Sequence, residues 1–226
     1  MTPGAQRLVV KVGGAVAAES AGRILGLVEE GHEVVVVHGA GPQITQEMNR
    51  RGIPVEFVHG RRRTSRAGVE VVRDSLAEVN AGLCAALGEI AVPIFGDVHG
   101  LLAVPVPPLG WVGDPLPSRP RAILEALAAG KVPVVAPLAV GPLNVNADDA
   151  AAALALGLGA KRLLFLTDVP GLYIDDEIVD SIDSVLANKL LDEGAFDGGI
   201  VPKLRAAAIA AANGVSTEIG RTAVIA

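Results

Sequence analysis

The chain has 226 residues and a formal net charge of −6; half of its residues are hydrophobic, mostly aliphatic, and 3% are aromatic. This length and composition can bury one sizeable core, which excludes a disordered chain, and the lack of a long basic run argues against nucleic acid as a partner. A lone Cys84, no signal-peptide pattern and an apolar run at 150–160 too short for a bilayer predict a cytoplasmic protein that does not bind membranes.

Apolar runs rich in Val and Leu alternate with longer alanine-rich stretches along the chain. Continuous apolar runs of this kind are typical of strands buried on both faces. Strands are predicted at 8–12, 33–39, 132–138, 162–169 and 222–226. Helices are predicted at 19–31, 42–52, 65–90, 148–159 and 199–214. This alternation predicts an α/β fold with a mostly parallel central sheet sandwiched between helices.

The stretch 95–120 interrupts the alternation because it is dense in glycine and proline. It predicts loops and short hairpins that stand on the sheet. Two interpretations remain open at this point: a surface excursion, or a wall or lid of a binding site.

Two glycine turns follow the first two predicted strands, and a lysine precedes the first of them. Lys11 lies in an apolar run, where its charge is costly unless it meets an anion, and the glycines at 13–14 would let backbone N–H groups approach a phosphate. The turn at 39–41 repeats the arrangement at a strand end, where open α/β sheets bind ligands. An edge-strand lysine in solvent, and two tight turns without a ligand, are the alternatives.

The stretch LNVNADDAAA at 143–152 joins a predicted strand to a predicted helix. Asn146 or Asp148 can cap the helix, which explains one of these polar residues. Asn144 lies on the same strand face as Asn146 if the strand continues, so the two amides could line a wall. The stretch therefore combines a helix cap with a candidate polar site.

Three further stretches carry candidate binding groups. GRRRT at 60–64 holds three guanidiniums, one of which could hold a carboxylate through two parallel hydrogen bonds, unless all three lie in solvent. Lys203 lies near the start of the last predicted helix, where the helix dipole disfavours a cation unless an anion is near. TDVPGLY at 167–173 ends a strand in a polar turn that suits the rim of a nucleotide site.

Together these stretches resemble the amino acid kinase family, and within it the N-acetylglutamate kinases. The matching stretches are KVGG (11–14), HGAGP (38–42), GRRRT (60–64), GDVHGLL (96–102), NVNADDAAAALA (144–155), LTDVPGLY (166–173) and GGIVPKLRAA (198–207). The N-x-N-A-D element is the most specific of them. The resemblance implies transfer of the γ-phosphoryl group of ATP to the side-chain carboxylate of N-acetyl-L-glutamate, in arginine biosynthesis. It also implies ATP with Mg²⁺ as the substrate complex, no metal site of the protein's own, and a homodimer.

The resemblance implies a role for individual residues within one domain, with an acceptor lobe of about 1–140 and a nucleotide lobe of about 141–226. It implies that Lys11 contacts the phosphoryl group, that Lys203 holds the nucleotide phosphates, and that Asp148 positions both lysines. The acceptor-binding residues that it implies are Gly39, Ala40, Gly41, Arg62, Asn144 and Asn146. The ATP-binding residues that it implies are Lys11, Gly13, Gly14, Thr167, Asp168, Gly171, Leu172, Tyr173, Gly199 and Lys203.

Several departures from the family pattern keep alternatives open. Ala40 stands where the family has glycine, Arg61 and Arg63 stand where it is apolar or aromatic, and the segment before the last strand is short. A start close to the first strand predicts a homodimer without arginine feedback. The alternatives are a sister kinase for a related or carrier-linked aminoadipate or glutamate carboxylate, and a catalytically silent nucleotide or amino-acid sensor.

Overall fold

The computed structural model describes residues 4–13, 20–167 and 169–226. In chain order the strands are β1 Arg7–Val12, β2 Glu33–His38, β3 Phe57–Val58, β4 Arg61–Arg62, β5 Ala91–Phe95, β6 Ala103–Pro105, β7 Gly113–Pro115, β8 Val132–Ala136, β9 Leu138–Ala139, β10 Leu143–Asn144, β11 Arg162–Leu166, β12 Tyr173–Ile174, β13 Glu177–Ile178, β14 Ser181–Asp183, β15 Ser216–Ile219 and β16 Thr222–Ile225. The helices are α1 Ala21–Glu29, α2 Gly41–Arg50, α3 Arg66–Leu87, α4 Gly96–His99, α5 Arg121–Ala128, α6 Ala147–Leu158, α7 Ser184–Asp192 and α8 Ile200–Ala212. None of the helices in these described ranges has both the length and the apolar character needed to cross a membrane.

Eight of the strands form one sheet in the order β14-β16-β15-β11-β1-β2-β8-β5. Neighbouring strands are parallel throughout, except for the antiparallel pair of β15 and β16. The predicted α/β fold with a mostly parallel sheet is therefore confirmed. Parallel neighbours need long crossovers, and the helices between the strands supply them.

Helices cover both faces of the sheet, which explains the continuous apolar runs of its central strands. Val9 and Val35 belong to the core cluster formed with α6 and α8. Val10 and Val36 belong to the cluster formed with α1 and the end of α3. Successive strand residues point to opposite faces, so every position of β1, β2 and β8 meets one helical layer or the other.

The predicted strands and helices are present, with ends shifted by a few residues. The predicted strand at 132–138 divides at Pro137, because proline has no N–H to continue a sheet, and β9 pairs with β10 instead. Helix α3 ends at Leu87, and a 3₁₀ turn follows at Gly88–Ile90. The elements that were not predicted include β3, β4, β5, β12, β13, β14, β15, α5 and α7. They are short, and β5 carries Pro93 within its five residues.

The glycine- and proline-rich segment forms α4 and the β6–β7 hairpin, as expected of loops and short hairpins. It contacts two of the stretches that the sequence analysis identified as candidate site elements. The backbone N–H of Trp111 donates to Thr64 O (2.8 Å), and the N–H of Asn144 donates to Trp111 O (2.9 Å). Val112 lines the cavity described below. The segment is therefore a wall of the site rather than a separate surface excursion.

His38, at the end of β2, is a structural residue. Its side chain is fully buried, and Nε2 accepts a hydrogen bond from Nδ2 of Asn80 on α3 (3.0 Å). The same amide nitrogen donates to Val134 O (2.8 Å). Burial lowers the pKa of His38 from 6.5 to about 4, so the imidazole is neutral near pH 7 and links α3 to the sheet.

Candidate active site

Lys11 occupies the centre of the sheet, because β1 lies between β2 and β11. It shares a strand face with Val9, the face that α6 covers, so the alternative of an edge lysine in solvent is wrong. Its Nζ lies 2.7 Å from Oδ1 of Asp148, and each side chain is 7% exposed. The contact is an ion pair, since Oδ1 accepts no hydrogen bond from the described residues. A buried pair gains little net stability, because both charges lose their hydration, so this placement indicates a functional site.

The start of α6 fixes the position of Asp148. Asn146 is the N-cap, and its Oδ1 accepts hydrogen bonds from the backbone N–H groups of Asp148 (2.7 Å) and Asp149 (3.2 Å). This satisfies two of the donors that a helix start leaves unpaired. The cap interpretation of this stretch is therefore correct for Asn146. The idea of a shared strand face is wrong, because β10 ends at Asn144.

Arg62 is the most constrained guanidinium of the GRRRT stretch. It is 8% exposed, and its Nη2 donates to Oγ1 of Thr45 (2.7 Å) and to Gly41 O (3.2 Å). The Phe57 ring lies against it, with 4.6 Å from Cζ to the ring centroid. Burial lowers the pKa of Arg62 from its usual value, yet a guanidinium stays charged in proteins. Arg62 is thus a fixed cation, and the interpretation of a solvated cluster is wrong for it.

A tight turn brings Arg62 into this position. β3 and β4 pair with Phe57 opposite Arg62, and the two residues between the strands are His59 and Gly60. Their φ angles are 49° and 76°, the left-handed values that a two-residue type I′ hairpin requires. The cross-strand register therefore places an aromatic ring directly beside the guanidinium.

A cavity of about 270 Å³ encloses these groups. Asn144 lies on its wall, where its Nδ2 donates to Oγ1 of Thr64 (3.0 Å). The backbone N–H of Gly39 donates to Val12 O (3.0 Å), so the turn after β2 begins beside the end of β1. The lining includes every predicted acceptor residue together with Lys11 and Asp148: Gly39, Ala40, Gly41, Arg62, Asn144 and Asn146. We call it the acceptor cavity.

A second cavity, of about 440 Å³, lies at the ends of β11 and α8. Nζ of Lys203 donates to Gly199 O (3.0 Å) at the start of α8. A side chain at Gly171 would clash, since its Cβ would lie 2.7 Å from Cγ2 of Ile178. The lining includes six of the predicted ATP-binding residues: Thr167, Gly171, Leu172, Tyr173, Gly199 and Lys203. We call it the nucleotide cavity.

Four predicted ATP-binding residues remain: Lys11, Gly13, Gly14 and Asp168. Gly14 and Asp168 are outside the described residues, so no position is assigned to them. Gly13 directly follows β1, two residues beyond Lys11. Lys11 lines the acceptor cavity rather than the nucleotide cavity.

A third cavity, of about 440 Å³, connects the other two, and we call it the joining cavity. It shares Gly60, Arg61 and Asn146 with the acceptor cavity, and Gly198 and Gly199 with the nucleotide cavity. The three cavities therefore form one cleft that runs from Arg62 to Lys203. Adjoining sites for two substrates are what a group-transfer reaction requires.

Asp149 lines the joining cavity and is a titratable group that the sequence analysis did not assign to the site. Burial and, to a smaller extent, the neighbouring carboxylate of Asp148 raise its pKa from 3.8 to about 6, against Arg61 and Arg205, which lower it. Phe57 and Thr45 were also missed. The His-Gly turn, and the four-residue spacing from Gly41 to Thr45 on α2, are the sequence signals that point to them.

Comparison with known proteins gives a consistent result. The model of the amino acid kinase family matches residues 6–221. The acetylglutamate kinase of Rubrobacter xylanophilus is 45% identical, over 94% of this chain and 87% of its own length. The acetylglutamate kinase of Geobacillus kaustophilus is 38% identical, over 88% of this chain and 83% of its own length. Among solved structures, smu.665 from Streptococcus mutans UA159 superposes with a TM-score of 0.87 at 28% identity, covering 97% of this chain and 98% of that one.

Proposed function

The chain belongs to the amino acid kinase family, and we propose from this premise that it is an acetylglutamate kinase. It transfers the γ-phosphoryl group of ATP to the side-chain carboxylate of N-acetyl-L-glutamate, which gives N-acetyl-L-glutamyl 5-phosphate in arginine biosynthesis. The observation that carries this proposal is the acceptor cavity, where the buried pair of Lys11 and Asp148 lies with the fixed guanidinium of Arg62. The relatives that bear this name match the chain over most of its length.

The chemistry needs charge neutralisation and alignment rather than a general base. A carboxylate oxygen of the acceptor forms a bond to the γ-phosphorus, and the bond from that phosphorus to the bridging oxygen breaks. ADP leaves with the electron pair, and no proton has to move, because the acceptor carboxylate is already ionised near neutral pH. Catalysis then consists of holding two anionic groups in line and stabilising the charge of the transferring group.

At the acceptor end, Arg62 binds the α-carboxylate of the substrate through its guanidinium edge. Thr45 and Phe57 keep that guanidinium in one orientation. Asn144 holds the main-chain end of the substrate, and Asn146 lies beside it. Gly39, Ala40 and Gly41 form the turn that contacts the acceptor. The small cavity supports an acceptor of amino-acid size.

At the phosphoryl end, Lys11 contacts the group in transfer, and Asp148 positions its ammonium. Lys203 holds the nucleotide phosphates and the leaving oxygen, which removes the conflict between its charge and the dipole of α8. Gly13 and Gly14 offer backbone N–H groups to the phosphates. Mg²⁺ enters with ATP as part of the substrate. Within one domain, residues of about 1–140 form the acceptor lobe and residues of about 141–226 the nucleotide lobe.

The two alternatives from the sequence are not favoured. The methyl group of Ala40, which suggested a different acceptor, packs with Ile44 and Met48 in a buried cluster. Arg63 pairs with Glu56 at the surface (3.1 Å, both side chains 53% exposed), so it adds little charge to the acceptor cavity. A silent sensor would not need a buried ion pair of Lys11 and Asp148 at the end of the central strand.

We also propose a homodimer in the cytoplasm. An exposed apolar patch around the β6–β7 hairpin supports a protein partner, because large apolar patches on a surface mark interaction sites. Its members are Val98, Leu102, Val104, Leu116 and Val140.

The half-buried thiol of Cys84 fits a reducing compartment. A solution mass near twice 23.0 kDa, lost in Val104→Asp, is the expected result; a monomeric wild type would contradict the dimer.

Trapping the product tests the proposed function directly. The protein, Mg-ATP and N-acetyl-L-glutamate are mixed with hydroxylamine, which converts an acyl phosphate to a coloured hydroxamate. Glutamate, aminoadipate and N-acetylaspartate are the control acceptors. A signal with N-acetylglutamate alone is expected. A signal with another acceptor, or none in a protein that still binds ATP, would overturn the proposal.

A further inference from the structure

Arg61 is a second guanidinium beside Arg62 that points in a different direction. Successive residues of β4 point to opposite sides, so Arg62 turns inward while Arg61 crosses to the β6–β7 hairpin. There its Nη2 donates to Gly113 O (3.1 Å) and lies 2.6 Å from Oδ1 of Asp114. One edge of the Arg61 guanidinium is therefore held by β7.

The rest of the Arg61 side chain faces the cleft. Arg61 lines both the acceptor cavity and the joining cavity, and its side chain is 23% exposed. Its Nε is buried and has no hydrogen-bond partner in the described residues. An unpaired buried donor is unfavourable, because it has lost its water without gaining a partner. The Gly113 carbonyl and Asp114 together hold the guanidinium at the boundary of two cavities, although this position leaves one of its donors unsatisfied.

Charge explains why a cation is useful at this boundary. Transfer brings the acceptor carboxylate and the triphosphate of ATP together, and both are anions. The charge of Lys11 is balanced by its buried contact with Asp148. The charge of Arg61 is balanced by Asp114, whose side chain is 56% exposed and therefore screened by water. Arg61 also faces Asp149 in the joining cavity and lowers the pKa of that carboxyl. Because water screens Asp114, the guanidinium of Arg61 attracts an anionic ligand more strongly than it would if its ion pair were buried.

We propose that Arg61 is a further catalytic residue, which contacts the phosphoryl group as it passes between the nucleotide and the acceptor carboxylate. This inference rests on the proposed function. The bond changes are those given above: one oxygen–phosphorus bond forms, one breaks, and Arg61 donates hydrogen bonds without losing a proton. Its contact strengthens as charge develops on the transferring oxygens, so it contributes to turnover rather than to substrate binding.

Steady-state kinetics of Arg61→Gln test this role, with Arg63→Gln as the matched control. Arg63 lies two residues after Arg61 in the same stretch, and it pairs with Glu56 at the surface. We expect Arg61→Gln to lower kcat about 30- to 100-fold and to change the KM for N-acetylglutamate less than about threefold. Arg63→Gln should stay within about twofold in both. Equal kinetics of the two variants would overturn the proposal.

The variant Asp114→Asn distinguishes a catalytic role of Arg61 from a structural role in joining the β3–β4 hairpin to the β6–β7 hairpin. It removes the ion pair but keeps the guanidinium of Arg61 and its bond to Gly113 O. We expect Asp114→Asn to keep kcat within about fivefold of wild type. If it reproduced the loss of Arg61→Gln, the role of Arg61 would be to hold the hairpins together, and the proposal would be wrong.

Binding of MgADP with fluoroaluminate tests Arg61 without any acceptor, since this complex imitates the phosphoryl group in transfer. We expect Arg61→Gln to weaken it more than about tenfold, with MgADP alone unchanged. A second outcome is that wild type binds the complex in this Arg61-dependent way and still yields no hydroxamate with N-acetylglutamate. That result would refute N-acetylglutamate as the acceptor but support the role of Arg61 in contacting the phosphoryl group. Unchanged binding of the complex in Arg61→Gln would refute Arg61, whatever the acceptor.

Discussion

The two ends of the cleft are built differently. At the acceptor end, Arg62 is 8% exposed and contacts Thr45, Gly41 and the Phe57 ring. At the nucleotide end, the lining comes from loops, a short hairpin and the first turn of α8, and Tyr173 is 49% exposed. A group with its own partners is oriented before the substrate arrives, whereas an exposed loop residue is oriented by the ligand. Substitution of the preoriented Arg62 should therefore affect acceptor binding, and substitution of Lys203 at the nucleotide end should affect turnover.

The largest effect is expected at the nucleotide end. Lys203→Ala removes the cation that we assign to the leaving oxygen, so kcat should fall about 10³-fold while the KM for N-acetylglutamate changes little. Initial rates over a range of both substrates give the two constants. Lys189→Ala, on an exposed face of α7, is the control. A rise in the KM for N-acetylglutamate with normal kcat would show that Lys203 acts on acceptor binding rather than on turnover, and would contradict the contrast drawn between the two ends.

The second largest effect is expected at the acceptor end. Arg62→Ala removes a charge-assisted contact to the α-carboxylate and should raise the KM for N-acetylglutamate about 100-fold, with a smaller change in kcat. The KM for ATP, measured at saturating acceptor, should stay near that of wild type. A loss confined to kcat would show that Arg62 does not bind the acceptor.

A smaller effect is expected in the joining cavity, where Asp149 has a pKa raised from 3.8 to about 6. A carboxyl with a raised folded-state pKa lowers the free energy of unfolding as the pH rises through that value, since the unfolded chain ionises first. Asp149→Asn lacks this penalty and should be more stable than wild type by about 1–2 kcal/mol at about pH 8, with a smaller gain at about pH 4.5. Urea unfolding at both pH values measures it. A gain that does not depend on pH, or one shared by the surface variant Asp192→Asn, would contradict this assignment.

The smallest effect is expected from the ring that covers Arg62. Phe57→Leu keeps an apolar side chain but removes the cation–π contact, worth about 0.5–1 kcal/mol at a partly exposed site. The KM for N-acetylglutamate should rise about two- to fivefold with kcat unchanged, as initial rates at saturating ATP will show. A rise as large as that of Arg62→Ala would mean that Phe57 holds the hairpin itself.

Local patterns along the chain were sufficient for most of the fold. Continuous valine-rich runs predicted β1, β2 and β8, because such runs are stable only between two helical layers. Asn146 or Asp148 was predicted to cap α6, and Asn146 is the residue whose side chain pairs with the free N–H groups two and three residues later. Strands of three to five residues such as β5 and β14 were missed, because they contain too few residues for a period to be visible.

The amino-acid sequence by itself determined the type of each long element, the position of the glycine turns and the set of residues that resemble a kinase site. The tertiary structure decided which of them meet. Lys11 and Asp148 are far apart in the chain, and they pair because β1 is central and α6 crosses its face. The different directions of Arg61 and Arg62 depend on the pairing of β3 with β4 and on the hairpin that faces them. Sheet order and cross-strand register are set by the packing of the whole core, which adjacent residues do not encode.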